Sequence, residues 1–340
     1  MPELRIVQPG GSEDYAKAIQ DALDAVAKAG GGEVVLPPGD YPYRGKLVVR
    51  DGTVLRGSGG TRLLPQDPMD GAIRLTGKWV TIRELTLQGR ADKRTGKGDA
   101  TGIRPLDAEH VEIDRMRVTG TAAAGIFVQK TAHFRITNCT VHDCLADGIH
   151  ITAGSSHGQI IGNQSRGNED DLIALVGYEK DGRQVEHVVI QGNMCRDGNA
   201  RGISCLGARY VTVSGNMIHG TGAAGIYVHQ EDNYKTYGVS DLTIVGNVMR
   251  DVSRRVSHAG LFIGGGDGDR PTADGAKVSN GVYRVMLSDN ILDGSSDAGA
   301  FVSDHARDVS GCGNLIRNAK RTGVRIEGKR ENLTIRQVDS

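Results

Sequence analysis

Nine stretches of one shape recur along this chain: TGIRPL from 101, AAGIFV from 123, ADGIHI from 146, DDLIAL from 170, ARGISC from 200, AAGIYV from 223, HAGLFI from 258, AGAFVS from 298 and RTGVRI from 321. Measured at the position of the glycine, the closest copies lie 23 or 24 residues apart, and the wider gaps hold polar insertions. A second series lies between them (ITNCTV, IIGNQS, IQGNMC, VSGNMI, IVGNVM, LSDNIL, CGNLIR) and sets Asn138, Asn163, Asn193, Asn216, Asn247, Asn290 and Asn314 in register. Repetition at a fixed period is the signature of a solenoid, in which each repeat buries its apolar face only against its neighbours.

Each repeat supplies two or three short strands separated by Gly or Asn turns, with no helical period between them. Stacked coils would pair parallel strands ~4.8 Å apart and bury columns of Ile, Val and Leu. The chain is therefore expected to be all-β: a right-handed parallel β-helix with coils of about 23 residues, forming a single domain over 1–340. An asparagine column at turns reads as structural, because its amide bonds neighbouring backbone and tolerates the left-handed region. The first residues differ from the rest. Ser12-Glu13-Asp14 can start a helix, and Tyr15, Ala18, Ile19, Ala22, Leu23 and Val26 share one apolar face, so a helix over 12–30 is expected to cap the open end of the solenoid. The other end, LTIRQV, looks like an uncapped strand through which the chain could meet a second copy; otherwise it is a monomer.

Composition agrees with many tight turns and a core of small and β-branched side chains: 49 glycines stand against four phenylalanines and one tryptophan. Lys plus Arg and Asp plus Glu both number 41, so the net charge is zero and offers no footprint for nucleic acid or a membrane surface. The start, MPELRIVQPGG, has no basic-then-apolar leader, and no apolar run approaches the ~20 residues of a membrane span, so the chain reads as soluble, cytoplasmic or released. Five cysteines without a Cys-x-x-Cys read as buried thiols, and no metal site is expected.

With the coils in register, the residue before the glycine position is Thr101, Ala124, Asp147, Asp171, Arg201, Ala224, Ala259, Ala298 and Thr322. The three charged members are consecutive, and Asp170 adds a further carboxylate. Carboxylates stacked at a coil spacing repel one another, which structure alone would avoid. Two places after the glycine come Arg104, Phe127, His150, Ala174, Ser204, Tyr227, Phe262, Phe301 and Arg325, and further along lie Gln129, Lys130 and His229. Alternation sends Ile126, Ile149, Ile173, Ile203 and Ile226 inward, so this strip should face solvent. It has rings for stacking on sugars, a dip at Ala174 and Ser204, and acids at the lip where turn becomes strand.

The segment GGGEVVLPPGDY after an amphipathic helix, followed by the coils, resembles the pectin-lyase-like superfamily of β-helix proteins. Within it, Asp147 and the Asp170-Asp171 pair resemble the acids of polygalacturonase-family glycoside hydrolases. Arg201 falls where that family has His, and Tyr227-Val228-His229 stands where it has Arg-Ile-Lys. The coil organisation and the loop LTLQGRADKRTGKGDATG are also similar to mannuronan C5-epimerase modules, whose Asp-Pro-His signature is replaced by Phe127-Val128-Gln129-Lys130. The first resemblance implies glycosidic hydrolysis of a poly- or oligosaccharide without a cofactor. Asp171 would be the acid, Asp147 and Asp170 would position water, and Arg201 would steady the charges. His150, Tyr227, His229, Phe127, Lys130 and Arg104 would contact the sugar. The alternative is a uronate lyase or C5-epimerase working through His150, Arg201, Tyr227 and His229, with calcium allowed if it is a lyase. A third reading is a noncatalytic glycan-binding or tailspike-like solenoid.

Overall fold

The computed structural model describes residues 3–266 and 268–327. The strand-like LTIRQV end, and with it the expected meeting of copies there, lies outside the described residues. The chain divides into two compact units, residues 1–150 with 156–164, and residues 151–155 with 165–340.

In the first unit, strands Glu3–Ile6, Gly32–Val35, Thr53–Arg56, Ile73–Arg83 and Ile103–Asp114 pair in parallel, each with the next. A second parallel row runs through Thr61–Pro65, Thr86–Gln88, Arg117–Thr119 and Thr140–His142. Ile103 lies opposite Ile126, 23 residues on, and both are fully buried. The helix is Ala16–Lys28, shorter than the expected 12–30, and buries Ile19, Leu23 and Val26. It starts late because Tyr15 turns inward: its hydroxyl accepts the N–H of Gly10 at 2.5 Å and of Ser12 at 3.1 Å, while Asp14 Oδ1 accepts the N–H of Ala16 at 2.9 Å.

The second unit stacks three rows. One holds Ile173–Val176, Ile203–Leu206, Ile226–His229, Leu261–Gly264, Ala300–Val302 and Val324–Ile326, all parallel. A second begins with Val185–Gln191 and Ala208–Ser214, and a third with Met194–Arg196 and Met217–His219. Ile173, Ile203 and Ile226 are fully buried, as the alternation requires. Polar insertions follow the first row at 177–184, 230–238 and 265–281. The last contains a small antiparallel pairing of Arg270–Pro271 with Lys277–Val278.

The asparagine column is real but one residue differs. In the second unit Asn193 Nδ2 donates to Asn216 Oδ1, Asn216 to Asn247, Asn247 to Asn290 and Asn290 to Asn314, each at 2.9 Å. In the first unit Asn163 Oδ1 accepts the N–H of Cys139, so Cys139 holds the inner place expected for Asn138. Asn138 instead has φ 55°, the left-handed turn position that glycine fills at 162, 192, 215 and 246. Asparagine tolerates that region, so either place suits it and the sequence does not decide between them. Of the five cysteines Cys139, Cys144, Cys195 and Cys205 are buried, whereas Cys312 is exposed, against the expectation of five buried thiols.

Candidate active site

The strip two places after the glycine points away from the core, but much of it is covered. His150, Ala174, Ser204, Tyr227 and Phe301 are buried, so the open groove expected there is not what the structure shows. Within the second unit Ala174, Val176, Leu206, Ala224 and Tyr227 form an apolar cluster outside the core, with Tyr178 and Phe262 packed on it. The insertions do this: Tyr178 comes from the first of them, and Gly265 of the third lies against the His229 ring. Arg270 ties the three insertions together, reaching Glu179 at 3.6 Å, Asp232 at 2.6 Å and the carbonyl of Thr236 at 2.7 Å. Long insertions were legible in the spacing of repeats, but their folding back over the strip was not.

Asp171 is 3% exposed. One carboxylate oxygen accepts the backbone N–H of Arg201 at 2.9 Å, and the other accepts the Ser204 hydroxyl at 2.6 Å. Arg201 Nη1 stands 3.6 Å from Asp171, and its Nη2 donates to Glu231 at 2.5 Å. The guanidinium also lies over the Tyr227 ring, 4.5 Å from its centroid. Burial opposes the charge on Arg201, but Asp171 and Glu231 outweigh it and raise its pKa. Burial, reinforced by Glu231, raises that of Tyr227, so the phenol keeps its proton.

The Tyr227 ring lies nearly parallel to two imidazoles, His229 at 4.9 Å and 9° and His258 at 5.6 Å and 5°. Burial pulls the pKa of His229 down to about 4, with Arg201 adding to the effect, and lowers that of His258 for the same two reasons. Both rings are therefore neutral at pH 7. His229 Nδ1, His258 Nδ1 and Arg201 Nε are buried without a hydrogen-bond partner among the described residues. Burying unsatisfied polar atoms costs ~1–3 kcal/mol each, which marks this cluster as more than packing. Glu231, His258 and Phe262 were not singled out as site residues from sequence. An arginine in a column otherwise filled by Ala, Thr and Asp calls for an acid nearby, and that demand could have pointed to Glu231 on the following coil.

The first unit carries the rest. Asp147 Oδ2 lies 2.7 Å from His150 Nδ1, and the Phe127 ring meets the His150 ring edge-on at 5.1 Å. His150 Nε2 is buried without a partner among the described residues. Arg104 donates to Asp99 at 2.9 Å and twice to Gln129 Oε1 at 2.8 and 3.0 Å, while Arg74 grips the same Asp99 at 2.7 and 2.5 Å. Burial pushes the Asp99 carboxyl up, but the two arginines outweigh it and hold it below the usual range. Lys130 sits at an exposed turn with φ 47°, 3.9 Å from Asp107.

A parallel solenoid whose outer strip concentrates buried charges, neutral imidazoles and rings defines a β-helix protein with an elaborated face. The chain belongs to the right-handed β-helix family, whose model, described as a right handed beta helix region, matches residues 71–240. It is 32% identical over 164 residues to a mannuronan C5-epimerase and 30% identical over 162 residues to alginate lyase 7, both from Azotobacter vinelandii. Each match spans 41% of this chain but only 29% and 19% of those relatives. Among solved structures, the A-module of a mannuronan C-5 epimerase from A. vinelandii superposes with a TM-score of 0.68 at 18% identity, over 97% of this chain and 96% of that one. The catalytic domain of a GH87 alpha-1,3-glucanase bound to nigerose gives 0.71 at 16% identity over 95% and 64%, and the Dettilon tailspike protein 0.64 at 16% over 95% and 68%. At these identities the structural likeness concerns the fold. No helix among the described residues is long and apolar enough to cross a membrane.

Proposed function

We propose that this protein hydrolyses glycosidic bonds of a polysaccharide, with Asp147, Asp170 and Asp171 as its working carboxylates. The observation that carries this reading is Asp171: a buried carboxylate on the outer strip, beside a half-buried Arg201–Glu231 pair and near polar atoms that are buried without partners among the described residues. Taking charges out of water is costly, and an apolar pair of the same volume would hold the coil as well. Perturbed titratable groups gathered in this way mark functional sites.

Hydrolysis needs one carboxyl that donates a proton to the leaving oxygen and one carboxylate that activates water or attacks the anomeric carbon. Both oxygens of Asp171 accept hydrogen bonds, the pattern of an ionised carboxylate. Asp171 is therefore given the carboxylate role here together with Asp147, and the half-buried Asp170 that of proton donor, the reverse of the division the family resemblance implies. Arg201 keeps Asp171 charged, and the protonated Tyr227 and neutral His229 offer the sugar a donor and an acceptor. This chemistry calls for no cofactor.

The second reading is uronate elimination or C5 epimerisation, favoured by the sequence similarity to an epimerase and a lyase. It would use Arg201 for the substrate carboxylate and His150, Tyr227 and His229 for proton transfers. Incubation with oligomannuronate, oligogalacturonate and nigero-oligosaccharides separates the two. New reducing ends without absorbance near 235 nm support the aspartates; that absorbance, or inversion at C5 seen by NMR, sinks hydrolysis. Within the hydrolytic reading, Asp170→Asn should recover most of its rate on an activated aryl glycoside, whereas Asp171→Asn should not.

A further inference from the structure

Trp79, the one tryptophan of the chain, is 64% exposed. Its φ of +60° is the left-handed turn that His110, His133 and His157 repeat at 55°, 55° and 56°. Left-handed backbone at a residue with a Cβ costs roughly 1–2 kcal/mol, and an exposed indole forgoes the gain of burial.

The ring is nonetheless held in one orientation. Its plane lies on that of His110, with centroids 3.8 Å apart and 5° between planes, and His110 is in turn backed by His133 at 4.8 Å and His133 by His157 at 4.8 Å. These four side chains occupy the same corner of successive coils. On the other side the stack ends. The strand register that sets Val54 opposite Thr81 puts Gly52 opposite Trp79, and the register that sets Thr53 opposite Gly32 puts Gly31 beyond it. Neither has a side chain, and at Gly31 a Cβ would lie 2.8 Å from the Gly52 carbonyl oxygen. The second face of the indole therefore looks onto two layers of bare backbone, each ~4.8 Å deep. Polar groups rim the step: Asp51, which accepts the Lys78 N–H at 2.8 Å, and the Lys78–Glu109 pair at 2.8 Å.

From this geometry we infer that Trp79 is the platform of an accessory carbohydrate-binding site, on which a pyranose ring stacks in the layer left empty by Gly52. An immobilised aromatic face with hydrogen-bonding groups around it suits a ring with one apolar C–H face and equatorial hydroxyls. The inference shares with the proposed function only that the ligand is a sugar; it does not require the aspartates to be catalytic.

Because the chain has a single tryptophan, its emission excited at 295 nm reports on this site alone. Titration with hexasaccharides of mannuronate, galacturonate and α-1,3-linked glucose should shift or quench that emission saturably with at least one probe, and uridine should not. In affinity electrophoresis through the responding polysaccharide, Trp79→Ala should lose most of the retardation, and His110→Ala, which removes the backing ring, should lose several-fold. Emission unmoved by all three sugars, an equal response to uridine, or undiminished retardation of Trp79→Ala would overturn the site. None of these outcomes depends on bond cleavage, so a failed hydrolase assignment and a failed platform are told apart.

Discussion

In the second unit the inner and outer columns of the same coils follow opposite rules. Inside, one residue type repeats: Ile173, Ile203 and Ile226 fill one column, and Asn193 through Asn314 another, each amide bonding the next. Outside, no two neighbours in the run Ala174, Ser204, Tyr227, Phe262 are alike, although the backbone pairs them with the same regularity. Repetition down a column reports the demand of the fold, since every coil meets the same neighbours above and below. Irregularity on an equally ordered backbone reports a local demand, and here it coincides with buried charge.

Four experiments probe that contrast. The largest effect is expected outside: Asp171→Asn should lower turnover about a thousandfold, equivalent to ~4 kcal/mol in the barrier, with the thermal midpoint nearly unchanged. A large fall in the midpoint without loss of rate would reverse the assignment of columns. Inside, Asn216→Ala should cost about 2–4 kcal/mol in denaturant unfolding while leaving the rate per folded molecule intact. It removes the acceptor of two Asn193 N–H groups and the amide donor to the Ile190 carbonyl and to Asn247 Oδ1, which keeps only the backbone N–H of residue 216.

His229 sharpens the comparison through pH. Its folded pKa of about 4 lies below the ordinary value of 6.5, so the unfolded chain binds the extra proton first. The stability it contributes is complete above pH 6.5 and is lost as pH falls toward 4. Its share is on the order of 3 kcal/mol. Unfolding of His229→Gln, measured from pH 7.5 to 4, should show a flatter profile than the parent by about that amount. The smallest effect should come from a pair that belongs to neither column. Arg62 and Asp40 bond at 2.6 Å but are about half exposed, so Arg62→Ala is expected to change stability by no more than about 1 kcal/mol.

Much of this was legible without coordinates because a solenoid writes its contacts into its period. The 23-residue spacing predicted which strands pair, and Ile103 opposite Ile126 follows from it. The inward isoleucines, the asparagine ladder and the presence of a capping helix were legible for the same reason. The fold departs from expectation by one residue at Asn138, which takes the left-handed turn, by one turn at the helix start, where Tyr15 turns inward, and at Cys312, which is exposed. The candidate residues Asp147, Asp171, Arg201, Tyr227 and His229 could be named from their irregular columns. Their environments could not.

The coil, its register and the side of each strand that meets the core can be read from the amino acids alone, because those contacts recur at a fixed separation and every repeat restates them. The folded chain adds that the outer strip is covered, that Arg270 pins three insertions over it, that Glu231 answers Arg201 and that Trp79 faces an empty step. Each of these depends on how a non-repeating insertion, or a missing side chain, meets a neighbouring coil. Such a contact occurs once, and no period can announce it.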